Sequence, residues 1–128
     1  DEAFRVLCGG YDSDLRRAAA LLPAHASPHA ALYALPQARW ARRVSGVLAN
    51  RLAREAPARA HAVLTPNSRG GFVVNVRAPM ERPRGAAALC LAFATGGGRE
   101  AAAGINHLEA SEVERFTRQF FDHFELHS

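Results

Sequence analysis

The chain has 128 residues, of which 48% are hydrophobic and 22% charged, with a formal net charge of +4. This composition excludes an intrinsically disordered chain and a fibrous repeat, and a chain of this length buries one core without disulfide or metal staples, so we expect a single compact domain. No stretch approaches the roughly 20 apolar residues of a membrane helix, and we therefore expect a cytoplasmic protein with no membrane partner.

The basic and sulfur-containing residues narrow the choice of ligands. All 16 basic residues are arginine, which reflects either the base composition of the gene or a preference for the planar guanidinium that binds phosphate through two hydrogen bonds. Cys8 and Cys90 are far apart and belong to no C-x-x-C pair. We expect buried free thiols rather than a disulfide or a zinc site.

Residues 1–29 are expected to be a helical lead-in followed by a linker. Apolar residues at helical spacing run from Leu15 to Leu22 and stop at Pro23. Nearby prolines favour a linker over residues 24–28. The chain also begins at Asp1 without a methionine, in helix-like sequence, which indicates a piece of a longer protein.

A short strand and a long helix are predicted next. The strand covers Ala31–Leu35, and the helix runs from Gln37 to Ala56 with one apolar face. The predicted core residues of this helix are Trp40, Val44, Val47, Leu48 and Leu52. Arg51 lies close to the apolar arc, where Glu55 one turn later can pair with it.

A β-hairpin follows the helix. Two β-branched runs, Ala60–Thr65 and Phe72–Ala78, flank a loop rich in glycine and polar residues. Side chains alternate between the two faces of a strand. Asn75 and Arg77 are therefore expected to project from the same face.

The last third of the chain alternates again between helix and strand. A helix is predicted over residues 86–93, a strand of small residues over 101–108, and a final helix with Phe116, Phe120 and Phe124 on its core face. Ser111 and Glu114 have the spacing of a capping box for that helix. The class is α/β, with α+β as the alternative, and we expect a mixed sheet of four to five strands with helices packed on it.

The most informative local feature is the triple glycine Gly96, Gly97 and Gly98, followed by Arg99. Consecutive glycines can turn several backbone N–H groups toward one phosphate, and an arginine can add a charge-assisted hydrogen bond. The alternative is a helix stop followed by a tight turn. The dinucleotide fingerprint is excluded, because it needs a strand before the glycines and a helix after them.

The run GGGREAAAG from Gly96 to Gly104 resembles the GGGHxxAAG signature of the DHH-associated C-terminal domain of the Asp-His-His phosphoesterases, which include proteins related to oligoribonucleases and exopolyphosphatases. The resemblance extends over about residues 31–124, since the helix containing Asn50, the hairpin ending in Arg77, the signature, a strand and a closing helix follow in the family's order. It implies that residues 30–128 form a DHH-associated substrate-binding domain.

The resemblance also implies a two-domain enzyme whose missing N-terminal domain holds two manganese ions. Members hydrolyse short or single-stranded nucleic acids, nucleotides or polyphosphate, and the C-terminal domain grips the substrate. By this resemblance, Gly96 to Gly98 and Arg99 face a phosphate and Arg77 lies beside them, with Asn75 on the same strand face. This chain is then expected to hold no metal or catalytic residue and to be inactive without its partner domain.

One residue departs from the family signature. Arg99 stands where the signature has histidine, and an arginine can clamp phosphate but cannot shuttle protons near neutral pH. His123 and His127 are one turn apart, but without a third ligand they are expected to be solvated surface residues. A stand-alone nucleic-acid or anion-binding module and a purely structural glycine turn remain alternatives, and the oligomeric state, a homodimer included, stays open.

Overall fold

The computed structural model describes residues 22–126, so the lead-in predicted for residues 1–22 falls almost wholly outside the described residues. The described elements are the strands β1 (His25–Ala26), β2 (Ala30–Ala34), β3 (Ala60–Pro66), β4 (Gly71–Arg77), β5 (Gly96–Gly98) and β6 (Ala102–Glu109), and the helices α1 (Arg39–Glu55), α2 (Ala86–Leu91) and α3 (Val113–Leu126). A 3-10 turn at Ala110–Glu112 precedes α3.

The strands form one sheet in the order β1-β2-β3-β4-β6-β5. β2 and β3 are parallel and are joined through the crossover helix α1, whereas the other neighbouring strands are antiparallel. The predicted α/β class with a mixed sheet in one compact domain is confirmed. The sheet has six strands rather than four or five, because β1 and β5 have only two and three residues, too few for a periodic pattern. β1 lies within the stretch 24–28 that was expected to be a linker.

The larger core lies between the sheet and helices α2 and α3. Phe116, Phe120 and Phe124 are buried there, as their spacing predicts. The strand side chains that they cover include Leu32, Leu64, Val74, Val76 and Ile105. Burial of three phenylalanines on one helix face makes this the main hydrophobic contribution to the fold.

The start of α3 differs from the sequence prediction. Ser111 lies inside the 3-10 turn, and no side-chain hydrogen bond caps the start of that turn, so the predicted capping box is wrong. The tighter turn brings the chain from β6 directly into the helix. Arg115 pairs with Glu112 at 2.7 Å in the first turn instead.

Helix α1 packs on the other face of the sheet. Val44 and Leu48 are buried as predicted, but Val47 is 40% exposed and Trp40 and Leu52 are only partly buried. The other buried positions of the helix are Ala41, Ala49 and Ala53. These small side chains allow the helix backbone to lie close to the sheet. The buried face of the helix is therefore centred on them and not on the larger Trp40, Val47 and Leu52.

Predictions about two further side chains are confirmed. Arg51 Nε donates to Glu55 Oε2 over 3.2 Å, and Cys90 is a buried free cysteine. Burial raises the pKa of the Cys90 thiol to about 11, so the thiol stays protonated and unreactive. Cys8 lies outside the described residues. Within residues 22–126 no helix has the length and apolar character that crossing a membrane requires.

Candidate anion-binding site

Helix α1 packs over β3, contacts the neighbouring strand β4 and Tyr33 of β2, and leaves part of the same sheet face exposed. On β4, β6 and β5, this face carries the exposed Val73 and a set of small or polar residues that are all at least partly exposed. We call them the open face: Asn75 and Arg77 from β4, Ala102 and Gly104 from β6, and Gly97 and Arg99 from β5 and its end. The structure thus confirms that Asn75 and Arg77 project from one face.

The strand register arranges the open face in two transverse rows. In the first row, Asn75 and Gly97 lie on either side of Gly104. In the second row, Arg77 lies opposite Ala102, and the Arg99 N–H donates to the Ala102 carbonyl oxygen over 2.9 Å. The second row therefore has one arginine on each side of an alanine.

The Arg77 side chain is held in place by two hydrogen bonds. Its Nε donates to Asn50 Oδ1 on α1 over 2.8 Å, and its Nη1 donates to the Val76 carbonyl oxygen over 3.1 Å. A guanidinium has five N–H donors, so three remain for a ligand. Asn50 thus orients Arg77 from the helix that borders the open face.

The two arginines of the row repel each other. Burial lowers the pKa of Arg77, and the positive charge of Arg99 lowers this pKa further. Within residues 22–126, ion pairs such as Arg51 with Glu55 and Arg115 with Glu112 are described, and no described ion pair includes Arg77 or Arg99. An anion bound between two such charges would be attracted by both.

The three glycines form an edge strand rather than a phosphate-cradling loop. The Gly96 N–H donates to the Phe93 carbonyl oxygen over 3.1 Å, and the Arg99 N–H is also taken. Gly97 lies opposite Gly104, in the register position whose groups bond across an antiparallel ladder. The amides of Gly96, Gly97 and Arg99 are therefore not free to converge on one phosphate, as the predicted nest requires. The arginine side chains are the stronger candidates for binding an anion at this face.

The glycines instead make the floor of the open face flat. A Cβ at Gly104 would lie 2.7 Å from the Val74 carbonyl oxygen, so the close approach of β4 and β6 requires glycine at this position. Gly104 and Gly97 have no side chains of their own, so the floor between Asn75 and the edge of the sheet is formed by backbone, with Leu91 beside Gly97. A ligand can reach the backbone there.

A cavity of about 330 Å³ opens beside the arginine row. We call it the side cavity. It lies between the C-terminal half of α1, the loop after β4 and the start of β6, and its lining includes Asn50, Arg54, Arg77 and Met80. The sequence predicts no site role for Arg54 or Met80, because a polar residue on a helix and a lone methionine in a loop carry no local signal of a site, and Asn50 entered only through the family resemblance.

The histidines do not form a metal site in the described part of the chain. His123 Nε2 donates to the Gly85 carbonyl oxygen over 2.9 Å, so this residue fastens α3 to the start of α2 and is not simply solvated, as had been expected. His127 lies outside the described residues. No group of three histidine, cysteine or acidic side chains within residues 22–126 is placed to hold a metal ion.

The fold is similar to that of a pGpG-specific phosphodiesterase, PggH from Vibrio cholerae, with a TM-score of 0.58 and 11% sequence identity. The match covers 91% of this chain but only 38% of that chain, so this chain spans about two fifths of that protein's length. The similarity is to the backbone fold of part of that protein. At this identity it shows the fold alone. No protein-family model and no curated protein matches the sequence.

Proposed function

We propose that the open face binds the phosphate group of a phosphoester substrate, and that the chain is the substrate-binding domain of an Asp-His-His phosphoesterase. The observation that carries the proposal is the row of Arg77, Ala102 and Arg99. It presents two guanidinium groups across a floor of small residues, with no carboxylate of the described chain paired to either.

The empty site carries an electrostatic cost. Two like charges close enough to lower the pKa of Arg77 destabilise the empty site, and a bound phosphate removes that cost. Arg77 enters the complex already oriented by Asn50, so little side-chain freedom is lost on binding. Oriented, desolvated guanidinium groups are the usual protein partners of phosphate.

The hydrolytic chemistry is assigned to a separate metal-bearing domain. The resemblance implies manganese, but the described residues include no cluster of three ligands that would fit a metal ion. We therefore assign binding and positioning to this chain and derive no chemical step from it. Its contribution to the rate would come from holding the substrate phosphate in a fixed place.

The substrates included in the proposal are short or single-stranded nucleic acids, nucleotides and polyphosphate, in the cytoplasm. The glycine signature and the order of elements support this range. The name of the structural neighbour, a phosphodiesterase for a short dinucleotide, agrees with it.

The proposal is tested by measuring pyrophosphate binding to the 128-residue chain by titration calorimetry. Arg77→Ala and Arg99→Ala should each weaken binding about 10- to 100-fold, because each loses a hydrogen bond to a charged group, worth roughly 1.5–3 kcal/mol. Arg118→Ala is the matched control, since Arg118 is exposed on α3, away from the open face, and it should leave the affinity within about twofold.

Two outcomes of this titration, and one of a separate cleavage assay, would contradict the proposal. Equal weakening by all three substitutions would mean that pyrophosphate responds only to net charge, and the proposed site would be rejected. Undiminished binding in the Arg77 and Arg99 variants would do the same. Manganese-dependent cleavage of an oligonucleotide by the purified chain, after contaminant controls, would contradict the assignment of hydrolysis to another domain.

A further inference from the structure

The side cavity adjoins the open face through a shared residue. Arg77 belongs to the arginine row and also lines the side cavity, as does Ala102. A ligand whose phosphate lies on the row can therefore extend into the side cavity without crossing another side chain. At about 330 Å³, the cavity is within the range of small-molecule sites, roughly 300–1,000 Å³.

The walls of the side cavity differ chemically from the open face. Ala53, Met80, Pro83 and Ala101 provide apolar surface, and Met80 is a large apolar residue that is 54% exposed. A group that carries only negative charge, such as a polyphosphate chain, can contact the arginines of this cavity but gains nothing from these apolar side chains. They fit the flat, largely apolar faces of an aromatic ring.

Polar groups lie at the edge of the same cavity. Arg54 and Arg77 both line it, and a guanidinium plane can stack on an aromatic heterocycle. Asn50 also lines the cavity and accepts a hydrogen bond from Arg77 through Oδ1. The same amide carries two N–H donors on Nδ2, which suit a carbonyl or ring nitrogen at the rim of a base.

We propose that the side cavity binds the nucleobase of a nucleotide whose phosphate lies on the arginine row. This inference rests on the proposed function. It narrows the proposed substrates to nucleotides and the ends of nucleic acids, and it excludes polyphosphate as the preferred ligand. Phosphate contacts position such a ligand, and the base contributes apolar and stacking contacts that a bare phosphate lacks.

The chain contains its own reporter for this contact. Met80 is its single methionine, so ¹³C-methyl labelling of methionine in the 128-residue chain gives one resonance, at the wall of the side cavity. We expect AMP or GMP to shift this resonance upfield, because a stacked purine ring shields a methyl group above its plane. Ribose 5-phosphate has the same phosphate without a base and should leave the resonance in place.

Calorimetric titration supplies the matching affinities. We expect at least one purine nucleotide to bind 10-fold or more tightly than ribose 5-phosphate. Ala101→Leu, which fills the side cavity, and Met80→Ala, which removes its wall, should each reduce that preference to threefold or less without changing the affinity for ribose 5-phosphate. Both positions are exposed, and Ala88→Leu on the exposed side of α2 is the matched control for added bulk.

The outcomes separate the base site from the phosphate site. If nucleotides and ribose 5-phosphate bind equally and Arg99→Ala weakens both, the phosphate site stands and the base site is wrong. If nucleotides bind more tightly but the Met80 methyl resonance does not move and Ala101→Leu has no effect, the base binds elsewhere and the inference is overturned. If no ligand binds in either measurement, the proposed function fails and the inference fails with it.

Discussion

The three adjacent glycines of β5 meet different structural demands. A Cβ at Gly96 would collide with the Cys90 carbonyl oxygen, and Gly98 has a φ of +142°, in which L side chains are strained. At Gly97 the nearest atom to a Cβ would be Leu91 Cδ2, at 3.9 Å, an ordinary van der Waals distance. Only Gly97 is therefore free of a packing requirement, and only there can a glycine-to-alanine change report on ligand contact alone.

We predict that Gly96→Ala and Gly97→Ala differ sharply in stability. Gly96→Ala should lower the free energy of unfolding by about 3 kcal/mol, since a backbone carbonyl cannot move aside as a side chain can. Gly97→Ala should change it by less than about 0.5 kcal/mol. Urea denaturation of both variants measures the difference, and equal losses would show that the close contact at Gly96 is not a real constraint.

Arg99 decides how ligand binding responds to pH. Arginine stays charged throughout the physiological range, whereas a histidine in its place would lose its charge near pH 6.5. We divide the pyrophosphate dissociation constant of Arg99→His by that of the unchanged chain. We predict that this ratio rises about 10-fold between pH 5.5 and 8, because the variant loses the free energy of one charge-assisted hydrogen bond.

Pyrophosphate itself changes its protonation state over this pH range. That change affects both dissociation constants equally, so it cancels in the ratio. Arg99→Gln, which is neutral at every pH, serves as the control and should give a constant ratio. A constant ratio for Arg99→His as well would mean that the charge at position 99 does not contact the ligand.

Among the elements, the β3–β4 hairpin depends on one asparagine in its loop. Asn67 Oδ1 accepts hydrogen bonds from the N–H groups of Arg69 at 2.9 Å and Gly71 at 3.0 Å. Its Nδ2 donates to His107 Nδ1 on β6 at 2.8 Å, and His107 Nε2 donates to Glu109 Oε1 at 3.1 Å. Asn67 thus closes the loop and also connects it to β6. Both connections hold β4 against β6.

Replacing Asn67 should therefore destabilise the hairpin measurably. We predict that Asn67→Ala costs about 2–3 kcal/mol, near 1 kcal/mol for each of the three lost hydrogen bonds. Asn67→Asp keeps the acceptor for the two loop N–H groups and should cost less near neutral pH. Urea denaturation measures both, and hydrogen exchange at the Gly71 amide shows whether the loop is where protection is lost. Identical losses in the two variants would argue against the closing role of Oδ1.

At the scale of the whole molecule, the two faces of the sheet are covered unequally. The phenylalanine-rich helix α3 covers one face together with α2, whereas α1 packs over β3 and contacts part of β4 on the other. The uncovered remainder is the open face. A buried histidine, His61, lies on the α1 side of β3 and is paired in register with Arg77, at the boundary between the covered and the open halves.

His61 makes the stability of the fold sensitive to acid. It is 2% exposed, and its Nδ1 has no hydrogen-bond partner among the described residues. Burial, with the positive charge of Arg59, lowers its pKa from 6.5 to about 4. Because the unfolded chain takes up the proton near pH 6.5 and the folded chain does not, folding stability is lost as the pH falls from 6.5 to 4, by about 3 kcal/mol in total.

The measurement is urea denaturation at pH 7.5, 5.5 and 4.5. We predict that the free energy of unfolding of the unchanged chain falls more steeply with acid than that of His61→Leu, which has no proton to gain at this position. Parallel pH profiles for the two proteins would contradict a buried neutral imidazole.

Local sequence determined most of the elements. The apolar spacing of Phe116, Phe120 and Phe124 predicted α3 and its buried face, and the alternation at Asn75 and Arg77 predicted their common face. These features depend on the 3.6-residue and two-residue periods of a single helix or strand. A pattern within one element is sufficient to reveal them.

The tertiary structure alone decided what the glycines and the arginines do. The pairing of β5 with β6 uses the amides of Gly97 and Arg99, and the register that sets Arg77 opposite Ala102 joins residues 25 positions apart. The contact of Asn50 with Arg77 spans 27 positions. Such contacts arise from strand order and helix placement, which are set by the packing of the whole core, so no local pattern in the sequence encodes them.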